Sequence, residues 1–208
     1  MAIRVKVCGL TRPEDVRRCV AAGVDALGLN FWPGSKRRVS LDAAQELVRS
    51  MPPHVLRVGV FVRASAAEVR AAVARLGLGA VQLHGDEDPS EYAGLGAPLW
   101  QVIRVHGPGA LSAPPSPAAA AVLLDAHAET PGGTGRQLDW GLVPLARQWG
   151  LPLWLAGGLT PDNVAEAIRR AAPDGVDVAS GVESAPGIKD TDRVESFVAE
   201  VRASETRR

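Results

Sequence analysis

Short apolar runs alternate along this chain with amphipathic or turn-rich stretches. Ile3 to Cys8 is a β-branched run ending in a thiol, with Gly9 for a turn and Thr11 and Pro13 opening a helix over Pro13 to Ala22. Further strands are predicted at Ala26 to Asn30, Leu56 to Val62, Ala80 to His84, Leu99 to Val105, Ala120 to Asp125, Leu151 to Ala156 and Val176 to Ser180. Helices are predicted at Leu41 to Ser50, after Ser65 to about Leu76, briefly after Asp88-Pro89, at Gly141 to Trp149, from Thr160 to about Ala172 and at Thr191 to Val201. His106 to Pro117 holds four prolines and two glycines, so this crossover is predicted as a loop with at most one degenerate turn. Ser204 to Arg208 reads as a frayed tail.

Eight strand and crossover units fit a single α/β domain over 1–208, a small (β/α)8 barrel with an irregular, proline-rich fifth crossover. A doubly wound open sheet competes, but no strand is followed by a complete G-x-G-x-x-G fingerprint. The distinction matters for chemistry, because a barrel builds its site from the loops at the carboxyl ends of its strands.

Composition narrows the partners. Lys plus Arg and Asp plus Glu both number 23, and a zero net charge argues against a nucleic-acid or membrane-surface protein. No run approaches a membrane span, and the amino terminus lacks a signal-peptide pattern. Cys8 and Cys19, on a strand end and mid-helix, are poorly placed to bridge, which suits a reducing cytoplasm. Monomer and homodimer remain equally open.

Gly157-Gly158 and Ser180-Gly181 follow the seventh and eighth predicted strands, where barrels often bind phosphate on free backbone N–H groups. The competing reading is tight turns alone. An unpaired cysteine is most often a small buried hydrophobe, and Cys19, on an apolar helix face, is read that way. Cys8, at a strand end near helix N-termini and the basic loop Lys36-Arg37-Arg38, is placed to be poised as a thiolate base. Asp125 ends an apolar strand, where it either caps a turn or keeps a proton to donate. Arg37 is a carboxylate clamp or a solvated surface arginine, and His84 a ligand or a structural imidazole. The four histidines show no paired spacing, so no metal site is expected.

At these residues the chain resembles the phosphoribosylanthranilate isomerase family. The likeness is carried by Lys6 to Thr11, Gly28 to Arg37, Val58 to Val62, Val81 to Gly85, Leu124-Asp125, Gly132 to Gly135 with Asp139-Trp140, Leu155 to Val164, and Val176 to Glu183 with Pro186 to Asp190. It implies a TIM barrel of tryptophan biosynthesis that performs an Amadori rearrangement on a small phosphoribosyl-anthranilate substrate without a cofactor. By the same resemblance Cys8 is the general base, Asp125 the general acid and Arg37 the anthranilate-carboxylate ligand. Gly157, Gly158, Ser180 and Gly181 take the phosphate, and Gly133, Thr134 and Gly135 belong to a lid. Asp177 is expected to face the substrate amine, and His84 to line the substrate site.

Two alternatives stay beside this reading: a phosphosugar isomerase shared by the histidine and tryptophan pathways, and a non-catalytic phosphoribosyl-binding barrel. Paired aspartates would mark the first, and strand one offers Cys8 instead. Retention of both Cys8 and Asp125 argues against the second.

Overall fold

A computed structural model of the chain describes residues 2–105, 107–126 and 140–206. Strands β1 (Arg4–Cys8), β2 (Ala26–Asn30), β3 (Leu56–Phe61), β4 (Ala80–Leu83), β5 (Leu99–Val105), β6 (Ala119–Ala126), β7 (Leu153–Ala156) and β8 (Gly175–Val178) pair in parallel in chain order. β8 then pairs with β1, at Val5↔Val176 and Lys6↔Asp177, which closes the eight-stranded barrel.

The strand period of two sorts the side chains into two cores. Ala26, Val58, Ala80, Trp100, Leu123 and Trp154 fill the lower barrel interior, with the two tryptophan rings 4.6 Å apart. Their neighbours Val5, Val7, Leu27, Leu29, Leu124 and Leu155 point outward onto the helices. Burying each such leucine or valine contributes about 1.5–3 kcal/mol, so the wall between the two cores is the stable scaffold on which the rim loops ride.

Helices α1 (Pro13–Ala21), α2 (Leu41–Arg49) and α3 (Ala66–Leu76) cover the first three crossovers, and α4 (Val164–Ala171) and α5 (Thr191–Thr206) the last two. Their starts follow local chemistry: Pro13 in the first turn of α1, Ser40 accepting from Ala43 N, and a reciprocal Ser65–Glu68 capping box. The fourth to sixth crossovers carry 3-10 segments at Pro89–Tyr92, Pro108–Leu111 and Trp140–Trp149. The proline-rich fifth crossover thus holds a single turn, as its composition predicts. In the sixth, Pro144 lies inside the segment and removes an N–H that an α-helix would use.

Two expectations are corrected, and one further element was not foreseen. The carboxyl-terminal segment is helical through Thr206 rather than frayed from Ser204, because Glu205 Oε1 accepts from the Ile3 backbone N–H and from Arg202. Helix α4 begins at Val164 instead of Thr160, since Asn163 is spent on the preceding turn, accepting from Thr160 N and donating to Gly158 O. After β8 a 3-10 turn (Ser180–Val182) leads into a hairpin of β9 (Glu183–Ala185) and β10 (Ile188–Lys189), too short for periodicity to reveal. Among the described residues no helix is long and apolar enough to cross a membrane.

Candidate active site

The carboxyl ends of the strands open into one cavity of about 490 Å³. Cys8, Arg37, His84, Asp125, Gly157, Gly158, Asp177, Ser180 and Gly181 all line it. Gly133, Thr134 and Gly135 lie outside the described residues.

On the β1 side, Cys8 is half-buried and stands two residues above Lys6 on the same inward face. Gly28, its register partner on β2, leaves it room: a methyl there would come within 2.7 Å of the sulfur. Lys6 is fully buried and donates from Nζ to Asp177 Oδ2 at 2.8 Å. Burial would strip the Lys6 proton, but the charges of Asp177 and Cys8 outweigh it and hold the ammonium above its ordinary pKa. Burial also raises the carboxyl of Asp177 despite Lys6. For Cys8, burial pushes the thiol up, more than Lys6 and Lys189 pull it down. The cation set against this desolvation comes first from Lys6 in the barrel interior, rather than from the helix N-termini or basic loop that the sequence suggested.

On the opposite side, Asp125 Oδ2 lies 3.2 Å from His84 Nε2, while Gln82 Nε2 lies 3.1 Å from His84 Nδ1. With the Gln82 amide donating, the imidazole proton sits on Nε2 and faces the Asp125 carboxylate. Arg104 fixes the same corner by donating from Nη2 to the His84 carbonyl at 2.7 Å.

Arg37 enters from the loop after β2. Its Nε and Nη2 donate to Glu183 Oε1 and Oε2 at 2.8 and 2.6 Å, and Nη1 makes no hydrogen bond among the described residues. Lys189 Nζ reaches the same Glu183 Oε1 at 2.7 Å, and also the carbonyls of Cys8 and Ala179. Burial alone would raise the Glu183 carboxyl, but Arg37 and Lys189 together hold it below the usual range. The β9–β10 hairpin is thereby clamped to the carboxyl end of β1.

The loops after β7 and β8 meet backbone to backbone. A Cβ on Gly181 would lie 1.9 Å from the Leu159 carbonyl oxygen, so only glycine allows this approach. The N–H groups of Gly158, Ser180 and Gly181 have no partner among the described residues. Free amides at the start of a helical turn are suited to an anion.

A model of the N-(5'phosphoribosyl)anthranilate (PRA) isomerase family matches residues 5–200. The chain belongs to this isomerase family. The PRA isomerase of Myxococcus xanthus is 49% identical over 202 residues, covering 95% of each chain. The Thermotoga maritima phosphoribosyl anthranilate isomerase structure superposes with a TM-score of 0.89 at 35% identity, covering 97% of this chain and 99% of that one. A phosphoribosyl anthranilate isomerase in complex with reduced 1-(o-carboxyphenylamino)-1-deoxyribulose 5-phosphate gives a TM-score of 0.85 at 34% identity, over 97% of this chain and 99% of that one.

In this PRA isomerase family member, sequence reasoning missed Lys6, Gln82, Arg104, Glu183 and Lys189. The available signal was strand alternation: Lys6 shares a face with Cys8, and Gln82 with His84. Glu183 and Lys189 had no such signal, because they meet Arg37 only through the tertiary fold.

Proposed function

We propose that this chain converts N-(5'-phosphoribosyl)anthranilate to 1-(2-carboxyphenylamino)-1-deoxy-D-ribulose 5-phosphate in tryptophan biosynthesis, in the cytoplasm, with Cys8 as general base and Asp125 as general acid. One observation carries the reading: a thiol and a carboxyl group from β1 and β6 line a single cavity that also receives free backbone amides from the loops after β7 and β8.

The phosphate occupies the amides of Gly158, Ser180 and Gly181, fixing the ribose across the barrel mouth. Asp125 protonates the ring oxygen, the ring opens, and C1′ becomes a protonated imine. The Cys8 thiolate then takes the C2′ proton; the C–H electron pair becomes a C1′=C2′ bond while the imine π pair settles on nitrogen. The enolamine gains a proton at C1′ and loses one from the 2′ hydroxyl, giving the ketone with no net change in atoms. Arg37 offers a cation to the anthranilate carboxylate, and the His84 N–H supports the ionised form of Asp125 after proton transfer. General acid and base groups of this kind contribute about 10²–10⁴-fold each.

The test is turnover of the purified protein with this substrate, beside the aminoaldose of the histidine pathway. Cys8→Ala and Asp125→Asn each lower kcat by about 10²–10⁴-fold and leave product affinity within a few-fold. Wild-type turnover in either variant removes that residue from the mechanism, and turnover of the aminoaldose refutes single specificity.

A further inference from the structure

Beneath the rim, the barrel floor holds a charged cluster that the chemistry above does not use. A buried ammonium is costly, and as a purely structural device a Lys–Asp pair gives little that packed apolar residues would not. Lys6 nevertheless sits at 0% exposure, directly below Cys8 on the inward face of β1. It bonds only one oxygen of Asp177, and the other, Oδ1, is buried without a partner.

The charges facing Cys8 come from four elements. Lys6 rises from β1 and Asp177 from β8; Lys189 stands on β10, bound to the Cys8 carbonyl; Arg37 projects from the loop after β2. Farther round the rim Asp125 is matched by His84. Glu183 is shared by Lys189 and Arg37. Lys6, Lys189 and Arg37 thus surround Cys8, and among the described residues Asp177 and Glu183 are the carboxylates bonded to these cations, so an ionised sulfur would be a third anion beside three cations. Of the cations, Lys189 and Arg37 are held by Glu183 and main-chain oxygens, whereas the Lys6 ammonium has two further protons to offer.

We propose that Lys6 is a positioning residue that holds the Cys8 sulfur as a thiolate for proton abstraction, with Asp177 keeping Lys6 itself charged. The proposal rests on the reading of Cys8 as the base. Asp177 is then only half a substrate ligand: Oδ2 belongs to Lys6 and Oδ1 remains for the substrate. Substrate binding drives off water and strengthens the attraction between ammonium and sulfur, which offsets part of the cost of desolvating the thiolate.

The experiment measures two profiles against pH in the full-length protein. One is the rate of Cys8 alkylation by iodoacetamide, read by mass spectrometry on the Cys8 peptide; Cys19 does not interfere, because burial pushes it up to about 12. The other is kcat. In Lys6→Met the midpoint of Cys8 alkylation moves up by about one to three units, and the rising limb of kcat moves with it, losing about tenfold at neutral pH per unit. Lys6→Arg, which restores the cation, returns both toward wild type. Asp177→Asn takes away the anion that keeps Lys6 charged and therefore moves the alkylation midpoint up as well, which decides the question should Lys6→Met fail to fold. An alkylation midpoint that is unchanged in Lys6→Met, or that moves down in Asp177→Asn, overturns the proposal while leaving the inactivity of Cys8→Ala intact. A midpoint that moves while the kcat profile stays fixed removes Cys8 as the base, and the role of Lys6 in proton transfer falls with it.

Discussion

Gly28→Ala tests the site through one methyl group. The new Cβ would sit 2.7 Å from Cys8 Sγ and 3.1 Å from Cys8 Cα. Comfortable contact between such atoms is about 3.5–4.0 Å, so the sulfur must retreat by about 1 Å. Rotating the Cys8 side chain relieves the first contact and not the second, so β1 and β2 must also part slightly at the rim. Overpacking of this kind costs about 1–3 kcal/mol, or a Tm lower by about 2–4 °C per kcal/mol in a domain of this size. The effect on chemistry is larger, because about 1 Å of misplacement of a reacting group costs about 10²-fold. The expected result is therefore a kcat lower by about 10²-fold with KM within a few-fold, since the anion cradle is built by the loops after β7 and β8 and Gly28 lies on β2.

Gly59→Ala is the matched control. Its Cβ would meet Leu78 Cδ1 at 2.6 Å and Phe61 Cε2 at 2.7 Å, on the outward face of the same wall. It should lose stability of similar order and keep wild-type kcat. Steady-state kinetics and calorimetric unfolding of both variants decide the matter. Wild-type kcat in Gly28→Ala, or an equal loss of kcat in Gly59→Ala, refutes the claim that the position of the Cys8 sulfur limits the reaction.

Gly181→Ala should raise KM at least tenfold, because its Cβ would fall 1.9 Å from the Leu159 carbonyl and force the two anion-binding loops apart; titration with inorganic phosphate alone should weaken in parallel, and unchanged phosphate affinity would move the anion elsewhere. Arg37→Ala should raise KM and also lower Tm, since Glu183 keeps only Lys189 and the Gly187 N–H as side-chain partners. Glu183 is held below its ordinary value, with burial outweighed by Arg37 and Lys189. Its contribution to stability is thus complete above the unfolded carboxyl value of about 4.3 and is lost as pH falls through the lower folded value. In Arg37→Ala the folded value of Glu183 rises toward the unfolded one, so that acid loss should shrink and the Tm gap between wild type and variant should narrow as pH falls; Tm curves that stay parallel from neutral pH into acid would exclude the Arg37–Glu183 pair as its source.

The barrel was legible because its apolar strands are short, regular and separated by strong stops. Pro13, Ser40 and Ser65 mark helix starts by local chemistry alone, and local chemistry survives in the fold. What escaped depends on partners distant in sequence. Glu205 extends α5 only because Ile3 offers it a backbone N–H, and β9 and β10 exist because Glu183 and Lys189 lock onto Arg37 and β1. Arg37 read as a carboxylate clamp, and its guanidinium does grip a carboxylate; that this one belongs to the protein could not be read from spacing.

A sharper rule for the site follows from the two cores. In a closed parallel barrel the inward residues of each strand form layers, and the lower ones here are apolar: Ala26, Val58, Ala80, Trp100, Leu123 and Trp154. Their upper inward neighbours, reached by steps of two along the chain, include Asn30, His84, Arg104, Asp125 and Asp177, and with Cys8 all of them line the cavity. On β2, β4, β5 and β6 the active rim is therefore the place where the inward series changes from apolar to polar, and on β1 Lys6 carries charge one layer below Cys8. A fold that needed only a packed interior would put an apolar residue there, as β2 does with Ala26, the register partner of Lys6. A charge one layer beneath a nucleophile has its effect upward, on the sulfur, which is why the pH dependence of Cys8 rather than the melting temperature is the property that Lys6 should govern.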